Sequence, residues 1–524
     1  MRTRMLFLLF LGCSTPGLLC AADCAALKAL KLPDTTITMA EKVTSGVVEG
    51  PLVGTPQRNL PVFCRVAGVL RPSADSEINF ELWMPENDWN GRFMGVGNGG
   101  FAGSIWYRQL AGNLRRGFAT AGSDAGHQAE GEDASWAFGH KEKVKDYGWR
   151  AVHLTTERAK ELVTSYYGKG AEKAYFDSCS DGGREALMEA QRFPEDYDGI
   201  LAGAPANAWT RMLSGGLAVA QSTLGDPRAY ISRLKLPAIE QAALAACDAQ
   251  DGVKDGIISD PAKCHFDPEV LLCKGADSLD CLTKPQVGAL EAFYAGGKDG
   301  HGKSIYPGFV MGDEDGGWGD WVLGAGPGFG DGLAYMENYF RYMVTGDPKW
   351  NFLTANVDAS LEMAIKETRA DLDSTDPDLS RFAARGGKLI IYHGWNDPAI
   401  SAWNSIDYYA SVKKKMGDEQ TDGFLRLYMA PGVEHCAGGP GPDAFGQLGI
   451  VAASGPKYGL FDALEAWVEK GVPAGDVVAT KSETGSNGEI KVKMTRPLCP
   501  YPEVVKYKGT GDANDSANFL CAAE

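Results

Sequence analysis

The sequence predicts an α/β fold built on a parallel sheet, with one long region inserted into it. Three observations predict it. Short apolar runs lead into helical stretches with little between them, at residues 173–192 and again from residue 197, the pattern of parallel strands joined by crossover helices. That alternation stops between about residues 205 and 386 and resumes in the apolar run 388–393. Around Ser180 the chain passes from strand to helix through a turn of small residues, with Ser178 and Gly182 two positions to either side.

Taken in order, residues 1–22 read as an export leader. Arg2 and Arg4 make a basic start, residues 5–12 are apolar, and Cys20-Ala21-Ala22 offers a small-residue cleavage site. The apolar run is too short to span a bilayer as a lasting helix, and a lipoprotein reading at Gly12-Cys13 has poorer context. The expected product is secreted or periplasmic, with no membrane span. A net charge of −17 argues against nucleic acid or an anionic membrane as partner. At 524 residues with 44% apolar and 10% aromatic content, the chain is an ordinary globular protein too large for one simple core. Ten of its cysteines lie beyond the leader, an even set without CxxC spacing, which reads as disulfides rather than zinc ligands.

From residue 34 to about 103 the signals are strands. Phe80, Leu82 and Met84 alternate with Glu81 and Trp83, which predicts a sheet with two differently solvated faces. A short strand at 92–96 runs into a glycine cluster at 97–103, and another strand is expected at 117–122. A helix is predicted at 147–167, the turn at Ser180 with a helix from Gly183, and a strand at 197–203. Residues 206–386 form the inserted lid domain; 23–205 and 387–524 form the core. Within the core, a strand at 388–393, a helix at 400–416, a strand at 424–429, a helix at 459–470 and a two-strand tail at 476–494 complete the chain.

A sharp strand-to-helix turn of this kind thrusts its central hydroxyl out at the end of a sheet, as in the nucleophile elbow of α/β-hydrolases. Here Ser178 stands where the G-x-S-x-G pattern has its first glycine. The acid and base of such a site follow the nucleophile in the order acid, then histidine. Of seven histidines, His435 alone lies beyond residue 424, just past a strand, and Asp397 follows the strand before it. Ser180, Asp397 and His435 are therefore the candidate triad for acyl transfer. The backbone N–H of Asp181 and one from the glycine cluster, assigned to Gly100, are the candidate oxyanion donors. Cys179 is a rival nucleophile, but Asp177 and Asp181 rather than small residues stand two positions from it. Cys179 adjoins Ser180 and Cys436 adjoins His435, so a triad would bring these two cysteines together, and their oxidation would pin the two loops.

Residues 247–260 carry Asp248, Asp251 and Asp255 on a glycine-containing loop, with the carbonyls of Val253 and Ile257 free to join them. Such a set suits a hard, oxygen-seeking cation such as Ca²⁺. A solvated acidic loop is the plainer reading, against which Cys247 and Cys264 bracket the segment.

The Cys-Ser-x-Gly-Gly turn at 179–183, the His435-Cys436 pair, the glycine turn at 97–103 and the Asp-x-x-Asp-Gly-x-x-Asp-Gly loop at 248–256 together resemble the tannase/feruloyl esterase family, which also contains hydrolases of terephthalate monoesters. Residues 340–342 with 347–350 look like that family's lid. The resemblance implies an α/β-hydrolase core with an inserted lid domain carrying a structural Ca²⁺ held by Asp248, Asp251, Val253, Asp255 and Ile257. It also implies disulfides Cys24–Cys64, Cys179–Cys436, Cys247–Cys264, Cys273–Cys281 and Cys499–Cys521. The expected activity is hydrolysis of a small aromatic ester of plant cell-wall or polyphenol type. A feruloyl-type esterase is the first reading, a tannase the second, and a terephthalate monoester hydrolase, with Arg341 holding the free carboxylate, the third. Trp318, Trp321, Tyr339, Phe340 and Tyr342 are the aromatic residues singled out for a flat acyl group. A calcium- and polyphenol-binding protein without catalysis is the reading from another class.

Overall fold

The computed structural model describes residues 23–50, 56–485 and 487–523. The expected leader lies outside them. Nine strands form one sheet: β1 (Thr35–Val43), β2 (Phe63–Leu70), β3 (Ile78–Pro85), β4 (Arg92–Gly95), β5 (Ala119–Ser123), β6 (Lys173–Cys179), β7 (Gly199–Gly203), β8 (Lys388–Gly394) and β9 (Leu425–Ala430). They lie in the order β1-β2-β3-β5-β4-β6-β7-β8-β9. The first three pair antiparallel, as does β3 with β5, and every other neighbour is parallel.

Both faces of the sheet are covered, so its central strands are apolar at consecutive positions rather than at every second one. Phe93, Phe176, Ile200 and Ile391 face one core with Leu162 of helix α1 (Ala151–Tyr167) and Leu187 of helix α2 (Asp181–Arg192). Their chain neighbours Met94, Tyr175, Leu201 and Ile390 face the other, against Phe461 and Trp467 of the late helix 460–470. The expectation of two differently solvated faces is therefore corrected. Trp83 is fully buried, and Glu81 is buried with it, accepting from Trp83 Nε1 at 2.6 Å and from Arg65 at 2.7 and 2.9 Å, with the Tyr107 hydroxyl also bound. A fully bonded carboxylate inside a strand mimics a solvated position in sequence.

Several boundaries differ from expectation by one to four residues, two of them at the site. The helix after the sharp turn starts at Asp181, not Gly183. The helix expected from residue 147 is preceded by a wide π turn at Asp146–Arg150. A second terminal hairpin, Val504–Tyr507 with Phe519–Ala522, follows the expected one at Val477–Thr484 and Ile490–Leu498. Between β7 and β8 the chain adds no strand to the nine-stranded sheet. It opens with helix α3 (Trp209–Leu224) and builds a separate apolar cluster around Ile239, Leu290, Phe293 and Trp318. No described helix is long and apolar enough to cross a membrane.

Close packing of β7 on β8 depends on Gly203, which pairs with Tyr392; a Cβ there would lie 2.2 Å from the Tyr392 ring. Gly203→Ala is expected to lower stability by about 1–3 kcal/mol through overpacking. Urea denaturation checks this, and an unchanged midpoint would refute it.

Candidate active site

The turn between β6 and α2 holds Ser180 at φ 68° and ψ −123°, a conformation unfavourable for any residue with a Cβ. Hydrogen bonds on both sides hold it there: Ser180 N donates to Gly203 O at 3.0 Å, and Ala206 N donates to Ser180 O at 3.1 Å. The small neighbours have measurable reasons. A Cβ on Gly183 would stand 2.2 Å from Gly203 O, and one on Gly182 would collide with Ser178 Oγ. Ser178 occupies the place of a pattern glycine because Gly97 and Gly182 leave room for its hydroxymethyl group. A Cβ on Gly97 would itself stand 2.8 Å from Ser178 Oγ.

β8 and β9 deliver the two other candidates. His435 Nε2 stands 2.8 Å from Ser180 Oγ, and His435 Nδ1 stands 2.8 Å from Asp397 Oδ2. Asp397 Oδ1 accepts the N–H groups of Ala399 and Ile400 at 2.8 and 2.9 Å. This is more than an Asx turn before proline, because the other oxygen is turned on His435. Sequence reasoning missed His393, fully buried in β8, whose Nε2 stands 3.2 Å from Asp397 Oδ2 and 3.0 Å from Ile400 O. A carbonyl only accepts, so Nε2 carries a proton, and Nδ1 stands 2.7 Å from the Ser405 hydroxyl. Burial pushes the Asp397 carboxyl up, but His435 and His393 beside it more than offset that and hold it well below the usual carboxylate range. The arrangement leaves His435 Nε2 free to accept the Ser180 proton, with a fixed carboxylate behind the ring.

Asp181 begins α2, so its N–H has no acceptor within the helix. Asp181 and Gly100 line one cavity with Ser180. Their placement rests on a support not visible in sequence. The Tyr147 hydroxyl, carried on the π turn, lies 3.0 Å from Gly100 O and 2.9 Å from Asp181 Oδ1 and shares its proton between them. Arg184 Nε binds the same Asp181 oxygen at 2.5 Å, while its other nitrogens donate to Gly148 O and Tyr147 O at 2.6 and 3.0 Å. Next along α2, Glu185 Oε2 accepts the N–H of Asn98 in the glycine turn at 2.8 Å.

All ten cysteines of residues 23–523 pair: Cys24–Cys64, Cys179–Cys436, Cys247–Cys264, Cys273–Cys281 and Cys499–Cys521. Cys179–Cys436 joins the residue before Ser180 to the residue after His435, so Cys179 is no rival nucleophile. Among the aromatic residues singled out, only Trp321 lines the cavity; its ring lies 5.3 Å from His435 and 6.0 Å from Tyr335, which was not singled out. Trp318, Tyr339 and Phe340 are core residues, and Tyr342 packs on Phe138. Arg341 is bound to Glu337 at 2.7 Å and to Trp350 O at 3.3 Å, away from the cavity.

In the acidic loop, Asp251 accepts from Val253 N and Ser259 Oγ at 2.9 and 2.6 Å. Asp255 accepts from Ile257 N at 3.2 Å and from Arg496 at 2.5 Å, and Asp248 from the N–H groups of Asp255 and Gly256, both at 3.2 Å. The three carboxylates do not converge within 4.8 Å of one another in this arrangement. The donor set is nevertheless oxygen throughout, three acids and two carbonyls, of which Arg496 answers one acid. That composition fits a hard cation such as Ca²⁺.

The family model for tannase and feruloyl esterase matches residues 64–522. The chain belongs to the tannase and feruloyl esterase family. It is 42% identical to an uncharacterized esterase of Xanthomonas campestris, over 96% of this chain and 91% of that one. It is 34% identical to the mono(2-hydroxyethyl) terephthalate hydrolase of Piscinibacter sakaiensis, over 88% and 85%. The crystal structure of feruloyl esterase B from Aspergillus oryzae superposes with a TM-score of 0.86 at 30% identity, over 95% of this chain and 99% of that one. The α/β-hydrolase fold and carboxylic ester hydrolase activity follow, and the reading as a binding protein without catalysis is set aside.

One consequence is measurable by pH. Burial, with the Asp181 charge adding to it, pushes the Glu185 carboxyl from its ordinary 4.5 up to about 8. The folded state then holds a proton that the unfolded chain releases earlier, so this contribution to stability is whole below pH 4.5 and is lost as pH rises to about 8. Glu185→Gln keeps an acceptor for Asn98 N and removes the titration. The fall in Tm between pH 5 and pH 8 is expected to be smaller in the variant; an equal fall would show that Glu185 is not the group responsible.

Proposed function

We propose that this chain is an exported serine esterase that cleaves esters of hydroxycinnamic-type aromatic acids through an acyl-enzyme on Ser180. The observation that carries this reading is the unbroken hydrogen-bond chain from Ser180 Oγ through His435 to Asp397, 2.8 Å at each link. His435 takes the Ser180 proton as the hydroxyl attacks the ester carbonyl and returns it to the leaving alcohol. Asp397 keeps the imidazole in the tautomer this requires, and its charge stabilises the protonated ring. The N–H groups of Asp181 and Gly100 meet the carbonyl oxygen as it becomes negative. Water then repeats the sequence on the acyl-enzyme.

Trp321 and Tyr335 at the cavity support a flat aromatic acyl group, gallate included. The described lining holds no Lys, Arg or His, and Arg341 is engaged elsewhere, so a free carboxylate on the acid has no partner there. This supports keeping a terephthalate monoester last among the three substrates considered. Five disulfides fit an oxidising compartment, secreted or periplasmic. Asp248, Asp251, Asp255 and the carbonyls of Val253 and Ile257 would hold Ca²⁺, whose contribution here is to neutralise and fix a loop far along the chain from the triad.

Methyl ferulate, methyl caffeate, methyl gallate and mono(2-hydroxyethyl) terephthalate form the deciding panel. Turnover of the hydroxycinnamates is expected to exceed that of the terephthalate monoester and to fall about 10⁴-fold or more in Ser180→Ala. Full activity in that variant would end the proposed mechanism. For the loop, a chelator is expected to lower Tm before it changes turnover of the folded enzyme. Rapid loss of activity at constant Tm would instead make the ion part of catalysis.

A further inference from the structure

The cavity at Ser180 does not end where one aromatic ring would. It follows helix α3 from its first residue to its last, touching Trp209, Met212, Gly216, Val219, Ala220 and Thr223 along the way. These recur at helical spacing on one face, and at 1.5 Å per residue the helix carries the lining for about 22 Å. Ala229, Tyr230 and Ile231, which follow α3 in the chain, also line it, as do Phe293, Phe309 and Leu323. The space measures about 200 Å³ to the centres of water-sized spheres.

Its chemistry is as one-sided as its shape. No cationic side chain lines it, and its single carboxylate, Asp181, is engaged by Arg184 and Tyr147. The Thr223 hydroxyl donates to Val219 O of its own helix at 2.9 Å. Glycines at 215, 296, 297 and 308 let the segments of its wall pack directly on one another, since a Cβ on any of them would stand 2.6 Å or less from a neighbouring atom, whereas Gly216 leaves open space. Among the described lining residues, Asp181 Oδ2, Trp209 Nε1 and the Tyr306 hydroxyl are buried without a hydrogen-bond partner. A charged or heavily hydroxylated group would therefore recover only part of its hydration there, whereas an apolar chain would lose only its contact with water.

The cavity also distinguishes the two halves of an ester. It touches Ser180 and both oxyanion donors, whereas His435, which must reach the leaving oxygen, is not part of its lining. The half that occupies it is the one left on the serine. We propose that the acyl site of this enzyme takes an extended, uncharged aliphatic chain, a medium- to long-chain fatty acyl group, along α3, beyond the Trp321–Tyr335 entrance that receives an aromatic ring. This rests on Ser180 being the nucleophile, and each methylene drawn into the channel is worth about a fourfold gain while space remains.

The test is kcat/KM for p-nitrophenyl acetate, butyrate, octanoate and laurate, each below its aggregation concentration, beside methyl, butyl and octyl ferulate. Gly216 lies midway along the lining face of α3, and a Cβ there would meet only Met336 Cγ at 4.0 Å, which makes Gly216→Leu the first space-filling variant. Laurate is expected to exceed butyrate by at least about tenfold in the native enzyme. Gly216→Leu is expected to remove that advantage while leaving acetate turnover within about twofold. If Gly216→Leu does not fold, Ala220→Phe, one turn deeper, replaces it with the same expectation. A flat or falling acyl series, or a dependence on the alcohol chain alone, with acetate hydrolysis still requiring Ser180, overturns this proposal and leaves the esterase reading intact. Undiminished laurate turnover in a folded channel-filling variant overturns it as well. Acetate hydrolysis that survives Ser180→Ala would remove the foundation of both.

Discussion

The backbone at Ser180 is the constraint on which the site depends. A serine at φ 68° is unfavourable by itself and persists only because its surroundings leave no alternative. Gly203 O holds its N–H, Ala206 N holds its carbonyl, and α2 packs so closely on β7 that only glycine fits at position 183. The same turn sets the direction of the Ser180 hydroxyl and leaves the Asp181 N–H without a helical acceptor. One local strain therefore sets both the Ser180 hydroxyl, the proposed nucleophile, and the free Asp181 N–H beside it.

Around that turn lies a shell of buried charge. Arg184 and Asp181 are an ion pair with no solvent access, and Tyr147 ties the pair to the glycine turn across the cavity. Asp181 Oδ1 is bonded twice while Oδ2 has no partner, and breaking such a buried pair leaves an uncompensated charge that costs about 3–5 kcal/mol. The stiffness of the oxyanion site comes from this network rather than from the glycines themselves, which only permit the close approach.

The juxtaposition of Ser180, Asp397 and His435 was legible because their order along the chain and their positions after strands are consequences of the fold, and because Cys179 and Cys436 adjoin two of them. The core strands were legible as apolar runs. What sequence hid has a common physical character: it is long-range or it mimics something ordinary. His393 reads as a strand residue, since nothing local announces that its ring meets Asp397. Tyr147 reads as a helix start, and its role depends on a π turn and on partners far along the chain. Trp318, Tyr339 and Phe340 are as aromatic as Trp321, and composition cannot separate rings that fill a core from a ring that faces a cavity. The stripe on α3 looks like any amphipathic helix face until its partners are seen to stand back from it.

Cys179–Cys436 spans 257 positions of chain and encloses the whole inserted region together with β7, β8 and β9. Ser180 and His435 are thus stations on one covalent ring, and the insertion is an arc of it. Cutting that arc once would open the ring without separating Ser180 from His435, because the crosslink would still bind the two fragments. Synthesis imposes the reverse order: Ser180 emerges long before His435, and its neighbouring thiol must wait for a partner that arrives only after the intervening arc has been made. The molecule is completed by oxidation, and one bond both closes the chain and sets Ser180 and His435 in register.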